Sequence, residues 1–65
     1  MTIKVNGQSL QASAPSIDTL LRELNLPEQG VAVALNGQVV RRTEQPTTAL
    51  HEGDEVEIIH AVQGG

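Results

Sequence analysis

The residues of this chain with the most distinctive chemistry are Gly64 and Gly65, which follow the strand-forming run "EVEIIHAV" after a single residue, Gln63. Glycine costs more backbone entropy to order than any other residue, yet without a Cβ it can enter a channel too narrow for the rest. The group delivered at the bottom of such a channel is the α-carboxylate of Gly65. A carboxylate is resonance-stabilised and refuses nucleophiles at neutral pH. Adenylation by ATP changes that, because AMP is a good leaving group and the terminal acyl carbon becomes electrophilic. Attack by a sulfur donor then leaves a thiocarboxylate, and attack by a lysine amine leaves an isopeptide bond. In both cases a partner enzyme does the chemistry and this chain is its substrate. The chain has no cysteine, so a sulfur-carrying role leaves the C-terminus as the one candidate, the thioether of Met1 being unreactive. A frayed diglycine without any role is the third reading.

Nothing else in the sequence assembles a reactive group. Ser9, Ser13 and Ser16 have no histidine at a suggestive spacing, and Ser16 is better explained as a helix cap. A nucleophile–base pair needs burial and a third, orienting group, which so short a chain scarcely has room to supply. His51 and His60 share no local ligand motif and are too few for a closed zinc site without carboxylate help. The acidic residues Glu52, Asp54, Glu55 and Glu57 read as a solvated turn and strand face rather than a cation site, and Arg41-Arg42 as surface decoration. His60 reads as a partly exposed sheet residue, close enough to the tail to touch a partner. The body of the chain reads as catalytically inert.

Composition narrows the classes further. With 65 residues the chain is one domain, near the lower limit for folding without a disulfide or metal staple, and having no cysteine it has no disulfide. It also has no Phe, Tyr or Trp, so its core must be built from Ile, Val, Leu and Ala and should be only modestly stable. Eight acidic residues against four basic ones give a net charge of −4. That balance repels phosphate backbones, and no aromatic ring is present to stack on a base. Nucleic-acid binding is not expected. No apolar run is long enough to span a membrane and no signal peptide is recognised, so the expected address is the cytoplasm.

The elements that must position the tail follow from periodicity. "TIKVN" alternates, Asn6-Gly7 suits the positive φ angles of a type I′ turn, and "QSLQA" returns with Leu10 and Ala12 inward, predicting a β-hairpin. "PSIDTLLRELNLP" changes to a helical period, with Ser16 as N-cap and Asp18 placed to pair with Arg22. Ile17, Leu20, Leu21 and Leu24 form one apolar stripe, and Asn25 and Pro27 close the helix. "GVAVALNGQVV" predicts a second hairpin around Asn36-Gly37, with Val31, Val33 and Leu35 on one face and Ala32 and Ala34 on the other. "RRTEQPTTALHEGD" reads as a polar connection broken by Pro46 and turned at Gly53-Asp54, with Leu50 plugging one end of the core. In the last strand Val56, Ile58 and Val62 should face the helix.

One amphipathic helix across a mixed sheet of about five strands makes a two-layer α+β domain. The last strand buries its Val and Ile most completely between the two hairpins, which is the β-grasp arrangement. Residues 1–62 then form the domain and residues 63–65 a flexible tail.

At this point the stretch "LHEGDEVEIIHAVQGG", with "IKVNGQ" and "VAVALNGQVV", resembles the sulfur-carrier proteins of thiamin thiazole biosynthesis, small ubiquitin-like β-grasp proteins. The resemblance covers essentially the whole chain, and its most specific part is Gly53-Asp54 followed by the final strand and Gly64-Gly65. Arg41 stands where members commonly have proline, and "TEQPTT" where they often carry a tryptophan; both departures fall in the surface connection. The resemblance implies that Gly65 is adenylated by an ATP-dependent adenylating enzyme related to the activating enzymes of ubiquitin pathways. It further implies conversion to a thiocarboxylate with sulfur from a cysteine desulfurase-derived persulfide, and presentation to thiazole synthase. Gly64 would thread the channel and Gln63 begin the arm. No bound cofactor is implied, ATP being consumed by the partner. The alternatives are a molybdopterin-synthase-type sulfur carrier, a ubiquitin-like protein modifier and a non-covalent β-grasp interaction module.

The residues add one expectation of their own. If Val56 and Ile58 face the helix, Ile59 and Ala61 lie on the opposite face near Ala32 and Ala34. An outward apolar stripe beside the tail suits docking of a partner by an otherwise monomeric protein, the alternative being an ordinary sheet surface of small residues.

Overall fold

A computed structural model describes residues 1–26 and 30–60 of the chain. Two Asn-Gly pairs turn the chain back on itself as their sequence predicts. Asn6 and Gly7 have φ of 51° and 84°, and Asn36 and Gly37 have φ of 51° and 85°. Positive φ at both central residues is the type I′ requirement, whose twist matches that of the flanking strands. The first pair joins β1 (Thr2–Val5) to β2 (Gln8–Gln11), and the second joins β3 (Val31–Leu35) to β4 (Gln38–Val40). The last strand, β5 (Glu55–His60), lies between the hairpins in the order β2-β1-β5-β3-β4, parallel to β1 and antiparallel to β3. This is the β-grasp arrangement, with one sheet and one principal helix among the described residues.

That helix, α1 (Ile17–Glu23), lays its stripe on the sheet: Ile17, Leu20 and Leu21 are buried against Ile3, Val33, Val56 and Ile58. Leu50, Ala12 and Ala14 close the ends of this aromatic-free core. Leu24, Val31 and Leu35 pack partly buried at its margin. The helix ends in a Schellman motif, because the Leu26 N–H bonds the Leu21 carbonyl (2.9 Å) and the Asn25 N–H bonds that of Arg22 (3.0 Å). Asn25 takes the left-handed conformation this requires, at φ 58°. Pro27, the other expected stop, and Val62 fall outside the described residues.

Two expectations are corrected. Ser16 does occupy the cap position, with extended backbone, but its side chain caps no backbone N–H. Its hydroxyl instead donates to the Asp18 carboxylate, a nearer and charged acceptor. The connection after β4 is not merely a polar segment broken at Pro46. Residues Arg42–Thr47 form a 3₁₀ helix with Pro46 inside it and Gln45 buried. Proline's fixed φ lies within the 3₁₀ range, so in so short a helix it costs only one donor. The Ile17 N–H bonds the Thr48 carbonyl and the Leu50 N–H bonds that of Pro15, both at 3.1 Å, which ties this connection to the start of α1.

The Ser16 hydroxyl holds the Asp18 carboxyl below its ordinary pKa, helped by the Thr19 N–H and the Arg22 charge and opposed by desolvation. A depressed folded pKa stabilises the fold above the ordinary carboxylate range, and that stability is lost as pH falls through the folded value. Ser16→Ala should therefore flatten the acid limb of stability, read as urea midpoints from about pH 5 to about pH 2. Superposable limbs for the two proteins would remove the hydroxyl as the cause.

Candidate functional site

β5 carries the chain toward Gln63, Gly64 and Gly65, and both of its neighbours grip it by more than ladder bonds. On one side β1 ends at Val5, and the side chain of the next residue, Asn6, carries the parallel pairing on to Ile58. Its Oδ1 accepts the Ile58 N–H (2.8 Å) and its Nδ2 donates to the Ile58 carbonyl (3.2 Å). An asparagine side chain carries the same donor and acceptor as a peptide group, so it can substitute for one where the strand turns away. On the other side the Asn36 N–H donates to the Glu55 carbonyl (2.8 Å), while Asn36 Oδ1 accepts the Glu55 N–H (3.0 Å).

The turn before β5 is built the same way. Gly53 takes φ 83°, and Asp54 Oδ2 accepts the His51 N–H (2.7 Å) while its Oδ1 accepts from Asn36 Nδ2 (3.1 Å). Glu52 Oε1 accepts the Thr2 N–H at 3.0 Å. Two of the four clustered acids are thus acceptors for backbone N–H groups, and Glu55 and Glu57 are exposed strand residues. Among the described residues no group of three His, Cys, Asp or Glu side chains could hold a metal ion.

The outer face of the sheet carries the apolar surface. Ile59 is 61 % exposed and directly opposes Ala32 across the β3–β5 pair, as alternation predicts. Ala34 opposes Glu57 on β5 and Val39 on β4. Val39, 77 % exposed, is the residue that sequence reasoning missed. The signal was available: Val39 and Val40 are adjacent in a strand, so alternation sends one of them outward, and Val40 is the one buried. Ile59, Ala32, Ala34 and Val39 make a diagonal stripe over three strands, rimmed by Glu57. Ala61, Gln63, Gly64 and Gly65 lie outside the described residues.

The hydroxyls show no nucleophile–base pairing among the described residues: Ser13 donates to Glu23 (3.1 Å) and Ser16 to Asp18. His51 is exposed, with Nδ1 3.8 Å from Asp54. Arg41 and Arg42 are exposed too, and the Arg41 N–H bonds the Glu44 carboxylate (3.2 Å) at the start of the 3₁₀ helix. No helix among the described residues is long and apolar enough to cross a membrane.

Comparison with known proteins agrees with this geometry. The ThiS family model matches residues 3–65. The chain is 33 % identical over 61 residues to the sulfur carrier protein ThiS of Thermus thermophilus, covering 94 % of this chain and 95 % of that one. The thiamine biosynthesis protein ThiS of Geobacter metallireducens superposes with a TM-score of 0.83 at 33 % identity, over the full length of both chains. A thiazole synthase of Paramagnetospirillum magneticum is 32 % identical over 66 aligned positions, which span all of this chain but 20 % of that protein. With a central last strand leading to a diglycine and a family match running through it, this chain belongs to the ThiS family.

Proposed function

We propose that this protein is not an enzyme but a sulfur carrier for thiazole formation in thiamin biosynthesis, loaded at the carboxylate of Gly65. The observation that carries the reading is the family match, which extends through residue 65 and so includes the diglycine. An ATP-dependent adenylating enzyme forms the Gly65 acyl-adenylate and releases pyrophosphate. The terminal sulfur of a cysteine desulfurase-derived persulfide attacks the acyl carbon, AMP leaves, and a thiol cleaves the remaining S–S bond to free the thiocarboxylate. Thiazole synthase takes the sulfur and returns the carboxylate. That a protein named thiazole synthase matches the whole of this chain over part of its length supports that partner. The carrier works as a cytoplasmic monomer with no cofactor of its own; Gln63 and Gly64 thread the tail into each partner's channel.

Reconstitution tests the reading. The chain is incubated with an adenylating enzyme, ATP and a persulfide source, then with a thiol-alkylating reagent. With no cysteine to compete, the label should appear on Gly65 in fragment spectra. Pyrophosphate exchange without a label on Gly65 would turn the assignment toward a protein modifier.

The stripe of Ile59, Ala32 and Ala34 is the surface on which these partners seat. Ile59→Lys should weaken binding to the adenylating enzyme roughly tenfold or more, as expected for a central apolar anchor. Its thermal midpoint should stay near that of the parent, because the side chain is mostly exposed. Unchanged affinity in a calorimetric titration would move the docking surface elsewhere.

A further inference from the structure

The two Asn-Gly turns are alike in sequence, "VNGQ" and "LNGQ", and alike in holding β5, but they hold it at different depths. The Asn6 carboxamide bonds the N–H and carbonyl of Ile58 in the partly buried seam between β1 and β5. The Asn36 carboxamide bonds the Glu55 N–H and the Asp54 carboxylate at an exposed position.

Asparagine followed by glycine is a chemically labile pair. The glycine nitrogen attacks the asparagine Cγ, the bond from Cγ to the side-chain nitrogen breaks, and ammonia leaves behind a five-membered succinimide. Water then opens the ring at either carbonyl, giving aspartate or isoaspartate. Only water is consumed. A Cβ built on Gly7 or Gly37 would meet nothing within 4 Å, so neither glycine is crowded on that side. What restrains the reaction is the carboxamide, which must leave both of its hydrogen bonds to swing over its own backbone.

We propose that Asn6 and Asn36 are self-modification sites whose conversion loosens β5, Asn36 reacting from the native protein and Asn6 only when the β1–β5 seam parts. At Asn36 the new carboxylate faces Asp54 Oδ1, across what is now a 3.1 Å hydrogen bond. At Asn6 the oxygen replacing Nδ2 faces the Ile58 carbonyl, acceptor against acceptor, over 3.2 Å. Isoaspartate also routes the main chain through Cβ. That extra atom enters a two-residue turn whose register, Val5 opposite Gln8 or Leu35 opposite Gln38, leaves no slack. The proposal does not depend on sulfur carriage.

The test follows the full chain at mildly alkaline pH by peptide mapping with fragmentation. Asn36 should convert at least about tenfold faster than Asn6, because exposed bonds open more often than partly buried ones. In denaturing urea the two rates should converge, and sub-denaturing urea should accelerate Asn6 selectively. A native Asn6 rate equal to or above that of Asn36 overturns the proposal. So does a native chain that converts at neither site while the denatured chain converts at both. The fraction carrying isoaspartate at the second turn, separated by ion exchange, should exchange the Glu55 amide hydrogen faster than the parent; unchanged exchange overturns the loosening of β5.

Discussion

Deleting Gly65 should reduce ATP–pyrophosphate exchange by at least about a hundredfold while leaving the thermal midpoint where it was. The shortened chain still ends in a glycine carboxylate, so the group to be activated is chemically the same. What changes is its reach, since one extended residue spans about 3.3–3.6 Å. A displacement of only about 1 Å can cost a hundredfold when the reacting atoms are positioned by distant contacts. The fold should not register the loss, because the core formed by the described residues runs from Ile3 to Ile58. Exchange at the parental rate would remove Gly65 as the activated residue. Unfolding of the shortened chain would instead show that the tail is part of the domain.

Leu20→Ala is the largest expected effect on stability. Leu20 is fully buried at the centre of the stripe, and truncating a buried leucine costs about 2–5 kcal/mol. Natural domains hold about 5–15 kcal/mol in total, and a small aromatic-free core belongs near the lower end. The variant should therefore lose a third or more of its stability, read as a lower urea midpoint with an unchanged slope. Leu24→Ala, half-buried at the end of the same stripe, should cost less. Val39→Ala on the outer face should stay within about 0.5 kcal/mol of the parent. A loss below about 1 kcal/mol for Leu20→Ala would mean that the helix is not what closes the core.

The hairpins were legible because Asn-Gly makes a backbone demand that few other pairs meet, and the helix because Ile17, Leu20 and Leu21 leave it one apolar face. The central place of β5 followed from asking where Val56 and Ile58 could both be buried. Local rules failed where two local options competed. Ser16 had a backbone N–H and the Asp18 carboxylate within reach, and the charged partner won. Pro46 was read as a breaker because that holds in an α-helix, whereas a short 3₁₀ helix accommodates its φ. The burial of Gln45 and the reach of Asn6 to Ile58 depend on residues far apart in sequence, 52 positions in the second case, which no local pattern encodes. At the site, the diglycine suggested a chemistry only once a rigid strand could be placed before it. The outward stripe was half seen: Ile59 and Ala32 meet as expected, and Val39 was overlooked in a pair read as strand without regard to its alternation.

The parallel pairing of β1 with β5 has a consequence for how the protein comes into being. β1 is made well before β5 and held waiting for it, since the Lys4 and Asn6 N–H groups donate to the carbonyls of Asp54 and Val56. Contacts this distant along the chain close late, after their loop entropy has been met, and they slow folding relative to local structure. During synthesis the hairpins and helix can form early, but the middle of the sheet stays open until residues 55–60 have left the ribosome. A nascent chain interrupted before that point lacks its central strand and exposes the β1 and β3 edges, a state suited to aggregation or degradation. Placing β5 at the centre therefore ties folding to the progress of translation: a copy that has folded is one whose translation had already reached β5.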